Sequence, residues 1–215
     1  MINAIIFDLD GVLCHTDGFH YLAWKKIFDS EGIPFNEKDN DLLRGVSRRA
    51  SLERILTLNG VEMSEEKKEE LLVKKNDIYR SYLDSMTSAD LDDEVRETLK
   101  KLKGKVKLAV GSSSKNTQLI LEKLGLTGFF DAVADGSMIV HSKPDPEVFL
   151  LAASMLGEDS HNCIVVEDAE SGIDAAVAGG FIPVGIGPAS HYGKARIHID
   201  SFSEISSIKS FLNQD

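Results

Sequence analysis

Five short β-rich runs, at residues 4–7, 106–110, 132–134, 163–166 and 182–184, alternate with helical patterns at 94–102, 116–124, 146–156 and 172–178. Few folds accept that order. Strands that each feed a helix pair in parallel, and a parallel sheet must be covered on both faces. The expected fold class is therefore α/β, a doubly wound parallel sheet. Local punctuation agrees: Ser114 can cap the helix that ends at Leu124-Gly125, Asp145-Pro146 can open the next, and Gly179-Gly180 can close another. Residues 17–83 break the rhythm, with four helical stretches separated by Gly32, Gly45 and Gly60 and no strand-like run. They read as a helical domain inserted after the first strand, which leaves 1–16 and 84–215 as the core.

Charge and cysteine usage narrow the function. The 215 residues carry 35 acidic and 24 basic side chains, a net charge of -11 that repels a phosphate backbone, so nucleic acid is not an expected partner. No apolar stretch approaches the roughly 20 residues that cross a bilayer, and an acidic pair arrives too early for a signal peptide. Cys14 and Cys163 lie far apart and match neither a disulfide framework nor a zinc spacing. A cytoplasmic monomer with reduced thiols, without a membrane partner, is the expectation. The stretch "SEEKKEELLVKK" reads as a solvated helix face.

In open parallel sheets ligands bind beyond the carboxyl ends of the strands. Asp8 and Asp10 follow the first run, "GSSSKN" follows the second, "SKPDP" precedes a helix, and Glu167 and Asp168 follow the 163–166 run. Each has an ordinary reading alone. A lone DxD is usually a turn, "GSSS" a capped turn, Lys143 an exposed charge, and an acidic pair after a strand a helix cap. Placed together at strand ends they describe something else: carboxylates around a hard divalent cation, with Ser112 and Lys143 to hold a phosphate. That is the outline of a phosphoryl-transfer site.

The order "DLDGVL", "GSSS", "SKPDP" and "VVEDAESGIDAA" resembles the haloacid dehalogenase superfamily of aspartate-nucleophile phosphotransferases over the whole chain. "RGVSRRASLERIL", "KKNDIY" and "SSSKN", with Thr16 and His20, are similar to its β-phosphoglucomutase family. The resemblance implies a Rossmann-like core with a helical cap, and interconversion of β-glucose 1-phosphate and glucose 6-phosphate with glucose 1,6-bisphosphate as activator. It implies Asp8 as nucleophile and Asp10 as general acid and base. Mg²⁺ would be held by Asp8, the Asp10 carbonyl and Asp168, with Glu167 as a ligand or a partner one layer out. The phosphate grip falls on Ser112 and Lys143, with Ser114, Lys115 and Asn116 beside them. In the cap, the resemblance implies that Arg48 binds the non-transferring phosphate, that Ser51, Lys75 and Asn76 face the substrate, and that Gly45 lets backbone approach the sugar. His20 and Thr16 lie on the hinge side, His20 coupling substrate binding to Asp10. Arg44 stands where a lysine is expected, and Cys14, His15 and Gly18 also depart from the family pattern. His141, close to Lys143 in sequence, is a further candidate, and the remaining histidines are surface or packing residues. Two other functions stay open: a phosphatase of small sugar phosphates with the same core, and a non-catalytic sugar-phosphate sensor, which would more naturally have lost Asp8 or Asp10.

Overall fold

The structure, a computed structural model, describes residues 2–212. In chain order its elements are β1 (Ala4–Phe7), α1 (Asp17–Ser30), α2 (Glu37–Asp41), α3 (Arg48–Leu58), α4 (Glu65–Leu83), α5 (Asp93–Leu102), β2 (Lys107–Gly111) and α6 (Thr117–Lys123). There follow β3 (Ala132–Ala134), α7 (Glu147–Leu156), β4 (Cys163–Glu167), α8 (Glu170–Ala178), β5 (Ile182–Gly185), β6 (Ile197–His198) and α9 (Ile205–Leu212). The strands form one parallel sheet in the order β3-β2-β1-β4-β5-β6.

β1 is central and wholly buried. Phe7, its last residue, stands opposite Val110 of β2 and Val166 of β4, so the carboxyl ends of these three strands come level. The period-2 side-chain alternation of a strand sends Ile5 and Phe7 to one face and Ala4 and Ile6 to the other. The first face, with Leu108, Val110, Ile164 and Val166, is bulky. The second is rich in alanine, with Ala109, Ala132 and Ala134 facing Ala152, Ala153, Ala175 and Ala176, and Phe149 fills the space these small residues leave.

Helices α1 to α4 pack around their own cluster of Trp24, Ile27, Phe28, Leu52, Ile55, Leu56, Leu71 and Leu72. Trp24 stacks on Phe28 at 5.1 Å, and Arg49 ties α3 to α4 through Glu65 and Glu69. Ser47 and Ser64 cap α3 and α4 by accepting from the Ala50 and Lys67 amides. Further along α4, Tyr79 and Leu83 join the cluster beneath the sheet, so this helix belongs to both apolar groups. Most of the "SEEKKEELLVKK" stretch is solvated, the exceptions being Leu71 and Leu72 of the cluster and Lys75 at 1 % exposure.

Two readings of the sequence need correction. Ser114 does not cap α6: the helix starts at Thr117, and Ser114 instead accepts from the Asn116 amide through its hydroxyl. The strand Ile197–His198 was not expected, because two residues carry no periodicity; pairing beside Val184 of β5 creates it. Among the described residues no helix is long and apolar enough to cross a membrane, and both cysteines are buried and free.

Candidate active site

Asp8 is the first residue past β1, its amide donating to the Val166 carbonyl at 3.0 Å. Glu167 ends β4 and Asp168 follows it, so the parallel pairing of β1 with β4 sets three acids together. Asp8, Glu167 and Asp168 are all buried, and one oxygen from each lies within 4.8 Å of the others. Gly11 makes this approach possible. Its φ of +90° favours glycine, and a Cβ there would stand 2.2 Å from Asp168 Oδ2.

The Lys143 ammonium donates to both Asp8 and Glu167 and lies 4.5 Å from the centre of the Phe149 ring. Burial disfavours this charge, but Asp8 and Glu167 together outweigh burial and hold the lysine protonated. One ammonium, with Arg44 3.2 Å from Asp168 Oδ2, does not outweigh the burial and crowding of three acids. Burial pushes the Glu167 carboxyl up to about 7, despite Lys143. Burial, then the charges of Glu167 and Asp8, push Asp168 up to about 8. A buried excess of hard oxygen ligands is the donor set that suits Mg²⁺, so these three residues fit a divalent cation. The Asp10 carboxyl stands apart and accepts from the Thr16 hydroxyl. Burial and then the Asp8 charge raise it to about 7, which leaves it able to take or give a proton near neutrality.

Past β2, Ser112 is 2 % exposed, and its hydroxyl accepts from the Ser114 amide at 3.1 Å, which folds the serine run into a tight turn. Across the cavity the helices supply the opposite charge. Arg48, at the start of α3, donates to Asn76 Oδ1 at 2.7 Å, and Asn116 Nδ2 donates to the same oxygen at 3.0 Å. Asn76 thereby joins the helical side to the sheet side. Lys75 Nζ donates to His20 Nδ1 at 2.8 Å and lies 4.4 Å from the Tyr79 ring centre and 5.3 Å from that of Trp24. Burial and then Arg48 press the Lys75 pKa well down; burial, Lys75 and Arg48 do the same to His20 and keep its imidazole neutral.

These two sides enclose a cavity of about 400 Å³. Of the site residues drawn from the resemblance, Thr16, Asn76, Lys143 and Glu167 do not line it, and each is hydrogen-bonded to one that does or to its partner. Lys115 is exposed at the rim, and Ser51 is buried, its hydroxyl donating to the Ser47 carbonyl at 3.0 Å. Arg44 reaches Asp17 and lies 3.2 Å from Asp168 Oδ2. His141 is exposed, its amide engaged by Glu147, and has no place in the lining. The sequence reading missed Trp24, Tyr79, Asp17 and Ser113, all of which line the cavity. Helical spacing held the signal for two of them. Trp24 is four residues from His20 and Tyr79 four from Lys75, positions that share a helix face.

A Rossmann-like core with strand-end acids, a buried lysine and a serine turn defines a class. The chain belongs to the haloacid dehalogenase-like hydrolases, the family model matching residues 2–180. It is 40% identical over 189 residues to a beta-phosphoglucomutase of Bacillus subtilis, covering 86% of this chain and 84% of that one. It is 32% identical over 186 residues to the fructose-1-phosphate phosphatase YqaB of Escherichia coli, covering 85% and 95%. The crystal structure of beta-phosphoglucomutase from Clostridium difficile superposes with a TM-score of 0.93 at 37% identity, covering 100% of this chain and 98% of the other.

Proposed function

We propose that this chain is a Mg²⁺-dependent sugar-phosphate mutase that interconverts β-glucose 1-phosphate and glucose 6-phosphate, with glucose 1,6-bisphosphate as activator. The observation that carries this reading is the two-sided cavity: an acid cluster suited to a cation faces Arg48 and Lys75 across one space. A phosphatase has one phosphate to hold, whereas a bisphosphate has two anionic ends. Arg48 presents a guanidinium oriented by Asn76 and the Leu72 carbonyl, with Asn116 holding Asn76 in turn, which suits the phosphate that is not being transferred. Residues 17–83 act in this reading as the cap and the rest as the core.

Asp8 Oδ attacks phosphorus, an aspartyl phosphate forms, and the bond from phosphorus to the departing oxygen breaks. Splitting one transfer into two lowers each barrier. Asp10 takes the proton from the sugar hydroxyl that attacks phospho-Asp8, and returns one to the departing oxygen in the reverse sense. Ser112 and Lys143 hold the transferring phosphoryl oxygens, with Ser114, Lys115 and Asn116 shaping the turn beside them. Mg²⁺ bound by Asp8, Asp168, the Asp10 carbonyl and, directly or one layer out, Glu167 would neutralise charge on the transferring group. Thr16 orients Asp10. His20, kept neutral on Lys75, ties substrate arrival on the helical side to the Asp10 side, while Gly45 and Ser51 shape the sugar's surroundings.

The test supplies β-glucose 1-phosphate, Mg²⁺ and a trace of glucose 1,6-bisphosphate, and follows glucose 6-phosphate and free phosphate in one tube. Glucose 6-phosphate formed much faster than phosphate supports the mutase. Phosphate without isomerisation establishes the second reading, a small sugar-phosphate phosphatase, which the likeness to the Escherichia coli phosphatase favours.

A further inference from the structure

The turn at residues 42–47, between α2 and α3, crosses the mouth of the cavity, with Leu43, Arg44, Gly45, Val46 and Ser47 in its lining. Two serine hydroxyls from the sheet side hold it there. Ser113 Oγ donates to the Gly45 carbonyl at 3.2 Å, and Ser171 Oγ donates to the Arg44 carbonyl at 3.1 Å. Neither bond is local: the partners are 68 and 127 residues apart. A serine in a tight turn, or in the first turn of a helix as Ser171 is, ordinarily spends its hydroxyl on nearby backbone. Here both hydroxyls reach across to the helical side instead.

Their anchors matter. Ser113 follows Ser112, and Ser171 lies three residues after Asp168, so each bond ties the turn to one wall of the carboxylate end. The fit is close. Gly45 has φ +73°, and a Cβ on it would stand 2.5 Å from Ser171 Oγ and 3.3 Å from the Ala169 Cβ. The turn also sets Arg44 3.2 Å from Asp168 Oδ2, a place from which it would limit solvent on the side where the aspartyl phosphate would form.

We infer that Ser113 and Ser171 are positioning residues that pin the 42–47 turn over the carboxylate end, and that these two pins set how much aspartyl phosphate passes to sugar phosphate rather than to water. The partition rests on the mutase reading above; the pinning does not. Both fates of the intermediate balance: water attack on phospho-Asp8 releases inorganic phosphate and returns the carboxylate, and hydroxyl attack gives the bisphosphate and the same carboxylate.

The experiment compares the wild type with Ser113→Ala, Ser171→Ala and the double variant. Amide hydrogen exchange over residues 42–47 reads the pinning, and the ratio of phosphate to glucose 6-phosphate, taken in one tube, reads the partition. In the double variant exchange should quicken about tenfold and the ratio rise about tenfold, each single variant giving a smaller part of both. A global unfolding midpoint that stays near the wild type's separates this from general loosening. Unchanged exchange overturns the pins, and quickened exchange with an unchanged ratio overturns the partition. If the wild type releases only phosphate, the mutase reading and the partition fall together, and the exchange result alone then stands for or against the pins.

Discussion

The two ends of the cavity are built from different materials. Asp8, Glu167 and Asp168 stand at the ends of strands whose register is fixed by backbone pairing, and they are crowded until one lysine must serve two of them. His20, Arg48 and Lys75 stand on helices, oriented by an amide, a carbonyl and aromatic rings, and among the described residues neither Arg48 nor Lys75 forms an ion pair. One end crowds acids that burial and mutual repulsion hold toward their protonated forms, and the other sets Lys75 beside Arg48, where burial and the guanidinium disfavour the ammonium. Each arrangement costs folding energy, since burial disfavours charge that is not fully compensated. Both ends are incomplete in the same sense: in the proposed function a cation would complete the first and a phosphate the second, and binding would recover what folding gave up.

The sharpest break is Asp8→Ala. If the strand-borne end does the covalent chemistry, glucose 6-phosphate formation should fall by at least about 10⁴-fold. A variant keeping a few per cent of the wild-type kcat would move the nucleophile elsewhere. Next comes Arg48→Ala, which strips the helix-borne end while leaving the acids untouched. Here kcat/KM for the sugar phosphate should fall ~100-fold, while hydrolysis of a small aryl phosphate that has no second anionic group stays near its wild-type value. Equal losses on both substrates would mean that the two ends are not separable.

A third test sharpens the charge argument itself. Asp10 and Glu167 are raised to about 7 and Asp168 to about 8, all above their unfolded values. Groups that bind protons more tightly when folded give stability that is full below the unfolded value and is lost as pH rises through the folded one. With a chelator present, stability should therefore decline from near pH 4 to about 8, by several kcal/mol across the window, and excess Mg²⁺ should flatten or reverse the slope at its upper end. Urea unfolding at several pH values, with and without Mg²⁺, decides it. The same declining limb with and without Mg²⁺ would show that the acids are not the source of the slope.

The same division of materials governs what the sequence could disclose. Strand-end acids are legible because a buried β-run that stops on charge is rare, and because parallel pairing must bring such ends together; Asp8, Glu167 and Asp168 are all at those places. Lys143 alone read as an exposed charge, and only the fold shows it to be wholly buried between two acids. Ser113 and Ser171 were invisible for a different reason. Their roles depend on a turn 68 and 127 residues away, and no local pattern encodes where that turn will lie. Asn76 was named only through resemblance, yet its oxygen is the junction at which Arg48 and Asn116 meet.

The smallest expected effect bears most directly on the helix-borne end. Lys75 is 1 % exposed, touches His20, Trp24 and Tyr79, and its ordinary charge is opposed by burial and by Arg48. Methionine has similar length, fills irregular apolar space and carries no charge. Because the lysine has no carboxylate partner among the described residues, Lys75→Met strands no opposite charge, and the lost contact is the donor to His20 Nδ1. Unfolding free energy should rise by about 1 kcal/mol while kcat/KM for the sugar phosphate falls ~10-fold, as expected where a residue is kept for function against stability. The two readouts must move in opposite directions. A variant that loses stability as well would show that the aromatic cradle of Trp24 and Tyr79 already compensates the ammonium, and the helix-borne end would then be a balanced site rather than one waiting for an anion.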